Sequence, residues 1–179
     1  METLEAIAKR RSVRAYEDKQ LTKEQLDAVL KAFLDAPTAK NRQEIRAIVM
    51  QDKADIDALN DAFMTYNRNS GRPFGRGTKF HYDAPTFIIL VAPRDFSYSE
   101  IDAGIAVENM ALAATSVGLG NVIIGCLGQF FMREDGAAWR AKLGIAADEM
   151  FVVGLALGTE KGEAKKPAEK DGRVSFYKG

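Results

Sequence analysis

The stretch TFIILVA, residues 86–92, is a continuous apolar run enclosed by Pro85 and Pro93. A strand with one face in water alternates polar and apolar side chains, and this run shows no such alternation. The run therefore predicts a strand that is buried on both faces, in the middle of a sheet.

The segments around this strand predict further strands and helices. Strands are predicted at residues 45–51, 121–126 and 150–157. Helices are predicted from a Thr3 cap, from Thr22 to Pro37 with a Thr22–Gln25 capping box, over 53–67, from a Ser99 cap to about Gly118, and over 132–143. We find no repeat or second domain. The class is therefore α+β or α/β, with a central sheet flanked by helices.

The helix from Ser99 to about Gly118 is unusually rich in small residues. They are Ala103, Gly104, Ala106, Ala111, Ala113 and Ala114. Small side chains allow another helix to approach closely, so this helix is predicted either in the core or at a subunit interface, or both.

The composition excludes several classes of function. The 179 residues carry 25 basic and 25 acidic side chains, so the zero formal charge does not indicate general binding to nucleic acid or to an anionic membrane. A single cysteine and a single histidine cannot form a Cys/His zinc site, and we expect no metal. The lone cysteine and the charged N-terminus, which is unlike a signal peptide, favour a cytoplasmic protein. The sequence contains no run of about 18 apolar residues, so we expect no membrane span.

The basic cluster RRSVR at residues 10–14 is the strongest candidate for a binding site. Arg10, Arg11 and Arg14, with Ser12 between them, would bind a phosphate or carboxylate if the chain folds them inward. Alternatively, these cations offset the dipole of the preceding helix and stay solvated.

The loop PTAKNRQ, residues 37–43, is the second candidate. Thr38, Asn41 and Gln43 offer hydrogen-bond donors and acceptors that suit a heteroaromatic ring. The alternative is an ordinary polar turn after Pro37.

The segment GLGNVIIG, residues 118–125, superficially resembles a dinucleotide-binding fingerprint. It lacks the third glycine and runs from helix to strand rather than from strand to helix. We therefore interpret Gly118 and Gly120 as a helix stop, and Gly125 as a place where backbone N–H groups approach a ligand.

Other polar residues have less specific patterns. His81 and Cys126 could pair as base and nucleophile, but we expect a core cysteine and a surface or hydrogen-bonded histidine, and no catalytic side chain. Solvated positions are predicted for three carboxylates of one helix, Glu100, Asp102 and Glu108. Asn67 and Asn69 are predicted as helix C-caps or ligand contacts, and residues 69–79 as a mobile basic loop.

Six segments, taken together and in order, resemble the FMN-dependent nitroreductase family. They are RRSVRAY (10–16), APTAKNRQ (36–43), DAPTFIILVA (83–92), DAGIAVENMALAATSVGLG (102–120), VIIGC (122–126) and VVGLALGTE (152–160). The resemblance implies an α+β fold: a three-layer α/β/α sandwich with a central, mostly antiparallel sheet, in a domain-swapped homodimer. Residues 1–159 would form a single FMN-binding domain, and residues 160–179 a C-terminal extension wrapping the partner subunit.

The resemblance also implies an activity. A homodimer would bind FMN at its interface, accept hydride from NADH or NADPH, and reduce nitroaromatic, quinone or other electron-poor small molecules by a ping-pong scheme. Relatives that dehalogenate, reduce enones, oxidise azolines or break down flavin stay possible. The rival interpretations are a non-catalytic FMN-binding sensor or store, and a structural dimer whose basic loop 71–79 binds a partner.

By position, the resemblance assigns cofactor contacts to four parts of the chain. Phosphate and flavin-edge contacts are assigned to Arg10, Arg11, Ser12 and Arg14. The segment laid against the flavin by the partner subunit is assigned to Pro37, Thr38, Ala39 and Asn41, with Gln43 adjacent. Backbone contacts to the reactive edge of the ring are assigned to Ile124 and Gly125. An amide contact is assigned to Asn67, and the tail cations that reach the phosphate are Lys165 and Lys166.

Overall fold

The computed structural model describes residues 1–71, 74–75, 79–165 and 171–177. The helices are α1 (Thr3–Lys9), α2 (Lys23–Leu34), α3 (Lys53–Asn69), α4 (Ser99–Ser116), α5 (Gly128–Met132) and α6 (Ala137–Lys142). The strands are β1 (Arg46–Met50), β2 (Thr86–Pro93), β3 (Gly120–Ile124) and β4 (Glu149–Gly158). Single 3₁₀ turns occupy Ala39–Asn41 and Glu134–Gly136.

The four strands form one antiparallel sheet in the order β1-β2-β4-β3. The strand predicted from TFIILVA is therefore internal, and residues 87–92 have no exposed surface. Successive side chains of a strand point to opposite faces, so Phe87 and Ile89 enter one core while Ile88 and Leu90 enter the other. The prediction of a strand buried on both faces is confirmed.

Helices cover both faces of the sheet. On one face, Ile56, Leu59 and Phe63 of α3 pack with Phe130 of α5 against the strands. On the other face, Val29 of α2 joins the apolar side of α4. Each fully buried side chain of this size contributes roughly 1.5–3 kcal/mol. The three-layer α/β/α arrangement with an antiparallel sheet is as predicted.

The turn between α4 and β3 explains one of the predicted glycines. Gly118 has a φ of +79° and follows the helix C-cap. The Leu119 N–H donates to Ala114 O at 2.9 Å and the Gly118 N–H donates to Thr115 O at 3.2 Å, which is the Schellman pattern. Gly118 is therefore a helix stop, as predicted, whereas Gly120 is the first residue of β3.

Several predicted helix ends are wrong. The helix predicted over 132–143 is divided among α5, the second 3₁₀ turn and α6. At this turn the chain comes so close to Phe130 that only glycine fits at position 136, since a Cβ there would meet Phe130 O at 2.3 Å. Thr3 and Ser99 are the first residues of α1 and α4 rather than their caps, and Ser99 Oγ donates instead to Pro93 O.

Part of the apolar surface stays exposed in a single chain. Leu4 and Ile7 of α1 and Ile101 of α4 are more than half exposed, and Ile105 of α4 is 38% exposed. In the C-terminal extension, Phe176 is 85% exposed. Across the described ranges, no helix is long and apolar enough to cross a membrane.

Candidate active site

The basic cluster 10–14 lies along the outer edge of β3. Ser12 forms a parallel bridge with Asn121, whose carbonyl accepts the Val13 N–H at 2.9 Å. Four residues further on, the Glu17 N–H donates to Thr159 O at 2.9 Å. These backbone bonds hold the cluster beside the sheet and place Ser12 and Arg14 at the mouth of a cleft.

The cleft opens where β3 ends and has a volume of about 630 Å³. Its size lies within the range of small-molecule and cofactor sites. It is lined by Ser12, Arg14, Phe63, Asn67, Phe74, Gly75, Phe80, Tyr82 and residues 122–126.

One wall of the cleft is aromatic. The Phe63 ring meets the Phe74 ring edge-on at 5.5 Å and the Phe80 ring at 5.9 Å, measured between centroids. None of the four aromatic residues of the cleft, Phe63, Phe74, Phe80 and Tyr82, was predicted from the sequence as a site residue. Their spacing carries no motif, since they meet only after α3 and the segment before β2 pack together.

Asn67 lines the same cleft. It belongs to α3, which continues to Asn69, so neither asparagine is the C-cap. The Asn67 side chain donates to Phe63 O at 2.9 Å. That bond uses one amide N–H and leaves the side-chain oxygen as an acceptor.

The polar end of the cleft contains Arg14. Its Nη1 donates to Ser12 O at 3.2 Å, and its guanidinium carbon lies 5.9 Å from the centre of the Tyr82 ring. Arg14 and Ser12 also line an adjoining cavity of about 290 Å³ that contains Lys161, Lys165 and two carboxylates, Glu160 and Glu163. Lys165 is thus near Arg14, whereas Lys166 lies outside the described residues.

The other two arginines of the cluster point elsewhere. Arg10 Nε lies 3.4 Å from Glu108 Oε1 on α4, and Arg11 Nη1 donates to Arg10 O at 2.7 Å. Neither residue lines the cleft. The fold therefore brings one of the three guanidiniums, rather than all three, to the cleft of a single chain.

Ile124 and Gly125 form the part of the cleft where β3 ends. A Cβ built on Gly125 would have no atom within 4 Å, so packing does not require glycine there. A side chain at this position would instead enter the open cleft. Gly125 and the next residue, Cys126, also line a second cavity of about 580 Å³ beside α5.

Two predictions about Cys126 and His81 need correction. Cys126 is exposed rather than in the core and lies two residues beyond Ile124, the last residue of β3. His81 is 1% exposed rather than at the surface, and its Nε2 lies 3.3 Å from Asp57 Oδ1 without a well-formed hydrogen bond among the described residues. Burial lowers the pKa of His81 from its ordinary value, although the Asp57 carboxylate opposes the shift.

The loop 37–43 lies on the other side of the molecule. It leads into β1, which forms the sheet edge opposite β3, so three strand spacings, roughly 14 Å, separate the two edges. Thr38 and Gln43 line a separate cavity of about 100 Å³ beside α2. Within one chain, the residues assigned to the flavin by resemblance form two groups that do not meet.

Two of the three α4 carboxylates predicted to be solvated have partners. Glu108 lies near Arg10, as described above. Asp102 is buried, and both of its oxygens accept the Ala39 N–H of loop 37–43. A sequence signal for this existed, because Asp102 shares the inward face of α4 with Ala106 and Met110, which lie four and eight residues further on.

The comparisons with known proteins agree with the fold. The model of the nitroreductase family matches residues 7–159, and the chain belongs to this family. The crystal structure of a nitroreductase with bound FMN from Bacteroides fragilis is 27% identical, with a TM-score of 0.89 and coverage of 99% of this chain and 100% of that one. Family membership confirms the resemblance inferred from the six sequence segments.

Two relatives carry names that describe an activity. A protein of Archaeoglobus fulgidus, provisionally named NADH dehydrogenase/NAD(P)H nitroreductase, is 31% identical over 167 residues, covering 90% of this chain and 87% of its own. The FMN reductase [NAD(P)H] of Bacillus subtilis is 27% identical over 150 residues, or 70% of this chain. The chain spans 55% of the length of that Bacillus protein.

Proposed function

We propose that this protein is an FMN-dependent oxidoreductase that takes electrons from NADH or NADPH and passes them to an electron-poor small molecule, such as a nitroaromatic or a quinone. The observation that carries the proposal is the cleft at the end of β3, where a cationic polar end adjoins an aromatic wall and an open glycine. Membership of the nitroreductase family and the names of the relatives support it.

The residues of the cleft fit FMN. Open space above Gly125 would accept a flat ring close to the backbone, and Phe63, Phe74 and Phe80 offer an apolar surface beside it. Arg14 lies at the other end, together with Ser12, and offers the donors that a phosphate needs. The cleft therefore has a suitable volume and two chemically distinct ends.

Each group would then have a defined task. Arg14 and Ser12 hold the phosphate, and Lys165 adds charge from the adjoining cavity. Asn67 and the backbone of Ile124 and Gly125 orient the ring. When bound, the flavin supplies the hydride and electron chemistry, so the chain needs no acid–base side chain of its own.

We propose that a second copy of the chain completes the site. Loop 37–43 cannot reach the cleft of its own chain, and exposed apolar residues on α1 and α4 offer a surface for a partner. In this arrangement Pro37, Thr38, Ala39, Asn41 and Gln43 contact the flavin bound to the other subunit. Residues 1–159 form the FMN-binding domain, and residues 160–179 wrap the partner.

The roles of Arg10 and Arg11 and the cellular location are predictions from the sequence. Arg10 and Arg11 would contact FMN only if they turn from their present partners when the cofactor binds. The cytoplasmic location stays a prediction from the single cysteine.

The test is steady NADH or NADPH oxidation by FMN-loaded protein, with a quinone or a nitroaromatic as acceptor. We expect acceptor-dependent turnover that Arg14→Ala reduces through loss of FMN. Tight FMN binding without turnover with any acceptor of these classes would refute the enzyme and support the sensor. Protein that does not bind FMN would refute both.

A further inference from the structure

Asp102 is a buried carboxylate that connects α4 to loop 37–43. It is 4% exposed, and its two oxygens lie 3.0 and 3.1 Å from the backbone nitrogen of Ala39. Burying a carboxylate costs free energy unless a hydrogen bond compensates it, and here the compensating donor is the Ala39 N–H.

The loop held by Asp102 has a strained backbone. Lys40, Asn41 and Gln43 have φ values of +56°, +51° and +53°, in the left-handed region that non-glycine residues rarely adopt. Such residues persist only where the surrounding structure imposes their conformation, and they cluster at functional sites.

Two further contacts stabilise this loop conformation. Thr38 Oγ1 accepts the Gln43 N–H at 3.0 Å, which closes the loop on itself. The Arg42 guanidinium lies 4.2 Å from the centre of the Phe96 ring. The hydrogen bond from Ala39 to Asp102 adds a contact with the core, because α4 is packed against the sheet.

The geometry points to Asp102 as a positioning residue of the flavin site: its carboxylate holds loop 37–43 in the strained shape that meets the flavin of a second copy. The inference rests on the proposed function. Asp102 itself does not touch the cofactor, and its effect passes through the Ala39 N–H.

The experiment is a fluorescence titration of flavin-free full-length protein with FMN, alongside thermal melting and the visible spectrum of the bound flavin. Asp102→Ala removes the acceptor, whereas Asp102→Asn keeps one oxygen that can accept the same N–H. The control is Asp52→Ala, because Asp52 also accepts backbone N–H groups at a helix start, from Ala54 and Asp55 at 2.8 and 3.3 Å, and follows β1 at the end opposite the loop.

We expect Asp102→Ala to weaken FMN binding by about tenfold or more and to shift the flavin spectrum. Asp102→Asn should restore most of the affinity, and Asp52→Ala should lower the melting temperature without changing the affinity. Equal FMN affinity in Asp102→Ala and Asp52→Ala would overturn the inference. Failure of the wild-type protein to bind FMN would instead refute the proposed function, and the inference with it.

A second variant tests the same bond if Asp102→Ala does not fold. Ala39→Pro deletes the N–H from the loop side, and Thr38 already has the extended backbone, φ −127° and ψ 150°, that a residue before proline prefers. Because Ala39 itself is placed against the flavin, this variant is compared with Asp102→Asn, which leaves Ala39 in place. Weakened FMN binding in Ala39→Pro together with nearly normal binding in Asp102→Asn supports the inference, and unchanged binding in Ala39→Pro overturns it.

Discussion

Replacing Arg14 with alanine tests the polar end of the cleft. Arg14 is exposed, and its contacts are a hydrogen bond to Ser12 O at 3.2 Å and the Tyr82 ring at 5.9 Å. Because these contacts are weak, Arg14→Ala should leave the folded chain nearly as stable as before. A charge-assisted hydrogen bond to a phosphate is worth roughly 1.5–3 kcal/mol, so FMN should bind about 10- to 150-fold more weakly.

Arg11→Ala is the matched control for this prediction. It removes the same charge from the same segment, but Arg11 does not line the cleft and donates to Arg10 O. Titration of flavin-free protein with FMN should therefore show a large loss for Arg14→Ala and a small one for Arg11→Ala. The FMN affinity of Arg14→Lys should lie between those of Arg14→Ala and the wild type, because lysine keeps the charge but lacks the paired N–H donors of the guanidinium. Unchanged FMN affinity in Arg14→Ala would show that the phosphate is held elsewhere, and an equally large loss in Arg11→Ala would show that Arg11 also turns toward it.

Three further predictions concern other parts of the chain. Cys126→Ala should keep NAD(P)H oxidation within a few-fold, and complete loss of turnover with full FMN content would assign the thiol a chemical role. Deleting residues 160–179 should lower FMN content and dimer stability together, since it removes Lys165 and the exposed Phe176; a truncated protein that is still dimeric and loaded would contradict this. Burial lowers the pKa of His81, so the imidazole binds a proton more readily in the unfolded chain than in the folded one. The melting temperature should therefore fall as the pH drops below about 6.5, the ordinary pKa of histidine, and His81→Gln should weaken this dependence on pH.

The sheet and its layers could be predicted because their signals are local. The apolar run at 86–92 shows no alternation, and its short length between two prolines favours a strand covered on both faces. The capping box of Thr22 and Gln25 and the stop at Gly118 likewise depend on residues close in sequence, and both are present. The helix predicted over 132–143 is interrupted at the 3₁₀ turn Glu134–Gly136, where Gly136 lies close to Phe130 O, and the apolar pattern does not reveal this approach.

The candidate site was predictable only in part. Ser12 and Arg14 reach the cleft because backbone bonds to β3 continue the strand pairing. Arg10 does not, since its partner Glu108 lies nearly 100 residues away on α4 and no sequence pattern connects the two. The burial of Asp102 could have been inferred from its place on the inward face of α4, but its partner could not, because the Ala39 N–H that it accepts belongs to a distant loop.

In the proposed assembly, FMN binds in the cleft and a second copy of the chain completes the site. The direct test of this assembly is size-exclusion chromatography with light scattering and flavin absorbance, on protein purified with excess FMN. We expect a yellow species of twice the 19.7 kDa chain mass that carries two FMN molecules. A colourless protein, or a monomer that retains one FMN, would contradict it.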